Sequence, residues 1–220
     1  MQCIKDTIKN INIVIGCNIG CSYCYARMNN NRFHTIDDFN KPVFFENKLK
    51  MLNNKRHTAY LLTGQSDLSG WNEEWKDKVF SKIKENENTQ YIFLTKRPEN
   101  INLKETPDNG WFGVTVTSSK EKTRINYLRN NIKAKHYHIT FEPMFDDVGK
   151  LDLNNISWIV IGTETGNRKG KISSKREWVF NIYNQAKEKN IPVFMKEDLL
   201  GILNEDEFVQ EFPKEFGEIK

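Results

Sequence analysis

Seven short apolar runs, most of them separated by segments of helical pattern, constrain this chain more than any other feature. They are "INIVIG" (11–16), "TAYLLTG" (58–64), "YIFLTK" (91–96), "WFGVTV" (111–116), "HYHITFE" (136–142), "WIVIGTE" (158–164) and "IPVFMKE" (191–197). Their nearly continuous apolar character is that of strands buried on both faces. Between them, 72–84 places Trp75, Val79, Phe80 and Ile83 on one helical face. Trp178, Val179, Ile182 and Ala186 form a second such stripe. Ser118 with Glu121, and Ser174 with Glu177, have the spacing of capping boxes at helix starts. Within 28–57, an extended piece is expected near "PVFFE" and a short helix near "NKLKML".

Strands alternating with helices imply an α/β fold with a parallel sheet and right-handed crossovers. A closed eight-stranded barrel typically takes about 250 residues. The 220 residues and roughly six to seven strands here fit a partial or minimal parallel (β/α) TIM-like barrel, with a doubly wound open sheet as the competing architecture. No repeat, low-complexity tract or linker divides the chain, so one domain over 1–220 is expected.

Parallel strands end on one side, so the residues that follow them meet on one rim. That rim is where active sites of parallel barrels and open α/β sheets lie. Here it collects "TGQSD" (63–67), "TKRPE" (95–99), "TVTSSK" (115–120), "TFEPMFDD" (140–147), "GTETGNRKGK" (162–171) and "KED" (196–198). Solvated loops account for the lysines and asparagines among these. They account less well for Glu142 and Glu164, each directly behind an apolar run.

The first run ends in "GCNIGCSYC", which holds Cys17, Cys21 and Cys24, three of the chain's four cysteines. So few thiols exclude a disulfide scaffold, and their clustering points to metal or redox chemistry. Thiolates are soft ligands suited to iron–sulfur clusters, zinc and copper(I). Three of them on a cubane cluster leave one iron open for a substrate or cosubstrate. With Cys3 as fourth ligand the same residues read as a zinc site, and the protein as a zinc-stabilised nucleic-acid-binding module without catalysis. Cys3 alone reads as a small buried or surface residue.

The Cys17-x3-Cys21-x2-Cys24 spacing, with aromatic Tyr23 before the third cysteine, resembles the signature of the radical S-adenosylmethionine (radical SAM) enzymes. The blocks "LLTGQSDL", "FLTKRPE", "WFGVTV", "TFEPM", "WIVIGTETG" and "PVFMK" are also similar to those of an uncharacterised phage-associated family related to such enzymes.

This resemblance implies a barrel of radical SAM type and a 4Fe-4S cluster on Cys17, Cys21 and Cys24, with S-adenosylmethionine on the open iron. Reductive cleavage would give a 5′-deoxyadenosyl radical that abstracts hydrogen from a substrate. An electron donor such as flavodoxin or ferredoxin is implied as a partner. Thr63, Gly64, Gln65 and Ser66 match the segment that contacts the methionine amino group, although the family usually carries a Gly-Gly-Glu-like run there. Tyr23 would pack near the adenine. Thr115 and Thr117 are candidates for the ribose hydroxyls, and Lys96 or Arg97 for the methionine carboxylate. Glu142 would accept from ribose or substrate. Glu164 and Lys196 would orient substrate, with a Glu–Lys pair as a further option. No cysteine follows Cys24, so one cluster is the limit.

The substrate stays open. A nucleotide or nucleic acid is the class suggested by the net charge of +4 and by Arg168, Lys169 and Lys171 in "GNRKGK". Walker spacing is absent, which argues against nucleotide hydrolysis. The first residues lack a signal-peptide layout and no apolar run has membrane-spanning length, so a cytoplasmic protein with no membrane contact is expected.

Overall fold

The computed structural model describes residues 2–54 and 58–217. Seven strands form one parallel sheet: β1 (Ile8–Asn10), β4 (Ala59–Leu61), β5 (Gln90–Thr95), β6 (Gly110–Thr115), β7 (His136–Phe141), β8 (Ile156–Ile161) and β9 (Val193–Met195). Their order in the sheet is their order in the chain, and the sheet curls into a half-barrel. A doubly wound sheet reverses its strand order at a switch point; this one does not. The two remaining strands, β2 (Val14–Ile15) and β3 (Val43–Phe44), pair antiparallel in a separate ribbon.

Among the described residues, five helices accompany the sheet: α1 (Ile4–Thr7), α2 (Tyr25–Phe33), α3 (Glu73–Lys84), α4 (Thr123–Asn131) and α5 (Arg176–Glu188). Strand residues divide by the two-residue period into two buried sets. Tyr91, Phe93, Phe112, Ile139 and Ile159 pack with Val79 and Ile83 of α3, Leu128 of α4 and Val179 and Ile182 of α5. The alternate residues Ile8, Ala59, Ile92, Trp111, Trp158 and Phe194 form the other cluster, which Phe216 completes and Phe212 packs against. Both sheet faces are therefore covered at the strands' N-terminal half, which is why the runs read as continuously apolar.

The first ladder lies earlier than its apolar run suggests. Ile8–Asn10 pairs with Ala59–Leu61, and the pairing continues only through the bond from Ile11 N–H to Leu61 O. Val14 and Ile15 leave for the ribbon with Val43 and Phe44, the extended piece expected near "PVFFE". Gly16 returns to the sheet edge, where its N–H donates to Gln65 O at 2.9 Å. It sits at φ +113°, and a Cβ there would fall 2.9 Å from Pro42 Cα, so glycine is required as the chain enters the cysteine loop. The short helix near "NKLKML" is a 3₁₀ segment, Glu46–Asn53.

Neither capping box forms. Glu121 turns back to accept from the Thr117 N–H and hydroxyl, both at 2.7 Å, and pairs with Arg124. Ser174 is buried and its N–H donates to Thr163 Oγ1 at 3.0 Å, which leaves Lys175 to start α5. In both cases a neighbouring strand end offered a better partner than the helix's own backbone. Among the described residues, no helix is long and apolar enough to cross a membrane.

Candidate functional site

The three cysteines occupy the loop between β2 and α2, each partly exposed. Cys17 is fixed by its N–H, which donates to Phe39 O at 2.7 Å, and its carbonyl accepts from Arg27 Nη2 at 2.8 Å. Cys24 caps α2, its sulfur accepting from Arg27 N–H at 3.4 Å, and its own N–H donates to Cys21 O at 3.2 Å. Burial pushes the Cys17 thiol up to about 11, and the charges of Asp67, Cys21 and Cys24 act in the same direction. Among the described residues, no three or more His, Cys, Asp or Glu side chains are gathered in a metal-holding arrangement. Cys3 is engaged elsewhere: its thiol donates to Glu197 Oε1 at 3.0 Å.

Two tyrosines join this loop to the sheet's rim. Tyr25 OH donates to Gly64 O at 2.6 Å, tying the start of α2 to the segment behind β4. Its phenol also feels the charges of Glu142, Cys24 and Lys196. Tyr23 lies edge-on to Phe145 with ring centroids 5.3 Å apart, and Lys96 Nζ stands 5.8 Å from its ring centre. Burial first, then the charge of Cys21, raises the Tyr23 phenol far above its ordinary value.

The segment after β4 is held mainly by its own side chains. Thr63 Oγ1 accepts from Leu94 N–H at 2.8 Å, and Ser66 Oγ accepts from Trp71 Nε1 at 3.0 Å. Gly64 is approached by the side chains of Asn10 and Asn12, so a Cβ there would lie 3.0 Å from Asn12 Oδ1. Asn12 Oδ1 is buried without a hydrogen-bond partner among the described residues. Gln65 offers its carbonyl to the Gly16 N–H. Asp67, buried beside this segment, accepts from Ser69 N–H and hydroxyl, Thr95 hydroxyl and Lys96 N–H.

Across the rim, Lys196 Nζ pairs with Glu142 and, at 3.2 Å, with Asp198. Burial alone would push the Lys196 ammonium down, but the two carboxylates outweigh it and raise it. Burial raises the Asp198 carboxyl, with Glu142 adding to the effect against Lys196. Gly162 makes this convergence possible, since a Cβ there would meet Asp198, Lys196 and Glu142 atoms at 3.1, 3.1 and 3.2 Å. Asp198 is the rim residue that a reading of single positions misses. Its signal was the "KED" run directly behind the last strand.

Glu164 does not pair with Lys196. It is buried and gripped by Arg168, with Nη2 at 2.8 Å from Oε2, and also accepts from Ile172 N–H at 3.3 Å. Arg168 holds its carboxyl below the ordinary range. The guanidinium expected for a phosphate is thus committed to folding the 166–171 loop, while Lys169 and Lys171 remain exposed. Thr115 and Thr117 are both buried; Thr115 O accepts from Arg124 Nη1 and the Thr117 hydroxyl is held by Glu121. Arg97 N–H donates to Thr95 Oγ1 at 3.0 Å, and no ion pair engages its guanidinium among the described residues. The rim therefore brings Tyr23, Lys96, Glu142 and Lys196 near the cysteine loop, with Glu164 held by Arg168 and the Thr117 hydroxyl by Glu121.

A second group of side chains lines an open cavity of about 450 Å³ beside this cluster, between residues 163–173 and 198–202. Asp198 belongs to both, so the cavity adjoins the Glu142–Lys196 pair.

A family profile described as "Protein of unknown function (DUF5131)" matches residues 2–218. Over 98 residues the chain is 35% identical to Lipase 1 of Staphylococcus aureus, in strains Mu50, N315 and COL among others. That likeness covers 44% of this chain, which spans only 14% of the length of the curated relatives it matches. No solved structure matches the chain.

Proposed function

Since the chain belongs to the DUF5131 family, whose description carries no activity, we propose from its own residues that it is a radical SAM enzyme. One observation carries the reading: a loop with three cysteines at radical SAM spacing lies at the C-terminal edge of a seven-stranded parallel half-barrel, tied by Tyr25 to Gly64. The chemistry of the donor set suits a 4Fe-4S cluster with one open iron, although the three sulfurs are not gathered around one metal position among the described residues. Three soft donors share one loop, and Cys3, which a four-cysteine zinc site would need, is bonded to Glu197 instead. When bound, such a cluster with S-adenosylmethionine supplies a 5′-deoxyadenosyl radical that takes a hydrogen atom from substrate.

The protein's part is to hold, orient and exclude water. Cys17, Cys21 and Cys24, each partly exposed, would hold the cluster. Tyr23, backed by Phe145, covers the loop from one side. Gln65 and the Gly64 backbone, rather than Ser66 or Thr63, remain for polar contact with the cosubstrate. Lys96 and Arg97 supply positive charge for its carboxylate. Glu142 and Lys196 hold each other in fixed orientation, so each presents a preset acceptor or donor to a molecule at the rim.

The lipase likeness carries no hydrolase reading. Ser66, behind a strand as a nucleophile would be, is held by the Trp71 indole, and no serine–histidine hydrogen bond occurs among the described residues. The test is anaerobic reconstitution with iron and sulfide, reduction, and addition of S-adenosylmethionine. Formation of 5′-deoxyadenosine above a Cys21→Ala control is expected. Its absence with a spectroscopically verified cluster overturns the reading.

A further inference from the structure

The cavity beside the Lys196 cluster has a distinctive lining. Thr165, Asn167 and Ser173 bring hydroxyl and amide groups, Asp198 a carboxylate, Lys171 an ammonium, and Leu200 an aliphatic surface that is 49% exposed. It is an open, mainly polar groove of about 450 Å³, most of whose lining residues are exposed. Its charges are unequal in availability. The Glu164 carboxylate is consumed by Arg168, and that of Asp198 faces Lys196 and the Thr163 N–H at 3.1 Å. Lys171 forms no ion pair among the described residues and stands at the outer side, on the exposed loop. No aromatic side chain lines the cavity. A planar base would thus find no stacking surface, whereas a group rich in hydroxyls with one anionic end would find a partner for each part.

We propose that this cavity is the substrate site and takes a phosphorylated sugar group, its hydroxyls toward Thr165, Ser173 and Asp198 and its phosphate on Lys171. This rests on the radical SAM reading, because Asp198 joins the cavity to Lys196 and Glu142, which under that reading would orient the substrate. The sugar phosphate has two sources, a free small molecule or the backbone unit of a nucleic acid, and both present the same chemistry.

Isothermal titration calorimetry on the full chain, with and without reconstituted cluster, separates the possibilities. The probes are ribose 5-phosphate, ribose, inorganic phosphate, adenosine 5′-monophosphate, adenosine and a single-stranded 12-mer. Ribose 5-phosphate is expected to bind about tenfold or more tighter than ribose or phosphate, with adenosine 5′-monophosphate gaining little from its base. Lys171→Ala should weaken ribose 5-phosphate about tenfold and leave ribose unchanged, and Ser173→Ala should weaken both. Tighter binding of the 12-mer, still dependent on Lys171, assigns the source to nucleic acid. Tighter binding of the monomer assigns it to a free sugar phosphate. The proposal is overturned if ribose 5-phosphate does not bind, if Lys171→Ala leaves its affinity intact, or if adenosine binds as well as its monophosphate. Substrate-free formation of 5′-deoxyadenosine is read separately, so a failed cavity and a failed cofactor assignment give different results.

Discussion

The imidazole of His138 lies directly across Gly113 on the neighbouring strand, so a Cβ at that glycine would fall 2.4 Å from the ring. His138 Nε2 faces Phe93 O at 3.2 Å, one strand further on, which locks the ring over the β6 backbone. Gly113→Ala has no room to relax, because the obstacle is a fully enclosed ring. The expected loss of folding stability is about 1–3 kcal/mol, measured by urea denaturation. A Gly166→Ala control meets no atom within 4 Å; its cost comes from a φ of +80° alone.

His138 also makes stability depend on pH. Burial depresses its imidazole to about 4 from an ordinary 6.5. Above about pH 6.5 neither the folded nor the unfolded chain protonates this group, and it costs nothing. As pH falls from there through 4, the unfolded chain binds the proton first and stability is lost. The full loss is about 3 kcal/mol. His138→Gln should flatten the slope of unfolding free energy between pH 6.5 and 4.5, before most carboxylates titrate. An unchanged slope would remove His138 as the cause.

Arg168→Met tests the reassignment of the basic loop. It strands Glu164, whose side chain is 2% exposed, without its guanidinium. A loss of stability is expected by chemical denaturation, with faster hydrogen exchange in 164–172. A second change, Glu164→Gln, should restore part of the stability. A phosphate-binding role for Arg168 would instead leave stability near wild type.

Most of the sheet was legible because each central strand is buried on both faces, which leaves a continuous apolar run. The first strand was misplaced for a physical reason. Ile11, Ile13, Val14 and Ile15 are as buried as any strand, but Val14 and Ile15 pair with Val43 and Phe44, a contact no local pattern records. The rim was legible from chain direction alone. Its pairings were not, because Glu142, Glu164, Lys196 and Arg168 could combine in several ways and only geometry selects. Ser118 and Ser174 show the same limit: their spacing promised caps, but Glu121 turned to Thr117 instead of Ser118, and Thr163 and Met144 took the Ser174 backbone and side chain.

Lys196 serves two carboxylates, and its removal tests whether the rim cluster is held by charge. In Lys196→Met, Glu142 and Asp198 are left facing each other across Gly162, with side chains 29% and 12% exposed. Their repulsion and lost hydrogen bonds should cost about 1–3 kcal/mol at pH 7, partly relieved by the solvent that reaches Glu142. The penalty should shrink as pH falls, since burial raises the Asp198 carboxyl and its protonation removes the repulsion. Adding Asp198→Asn to Lys196→Met should recover part of the loss at pH 7, because one negative charge then remains where two stood. Denaturation of the single and double variants at pH 7 and pH 5 measures both effects. Equal losses at the two pH values, or no recovery in the double variant, would mean that Lys196 holds the rim through its aliphatic stem and not through its charge.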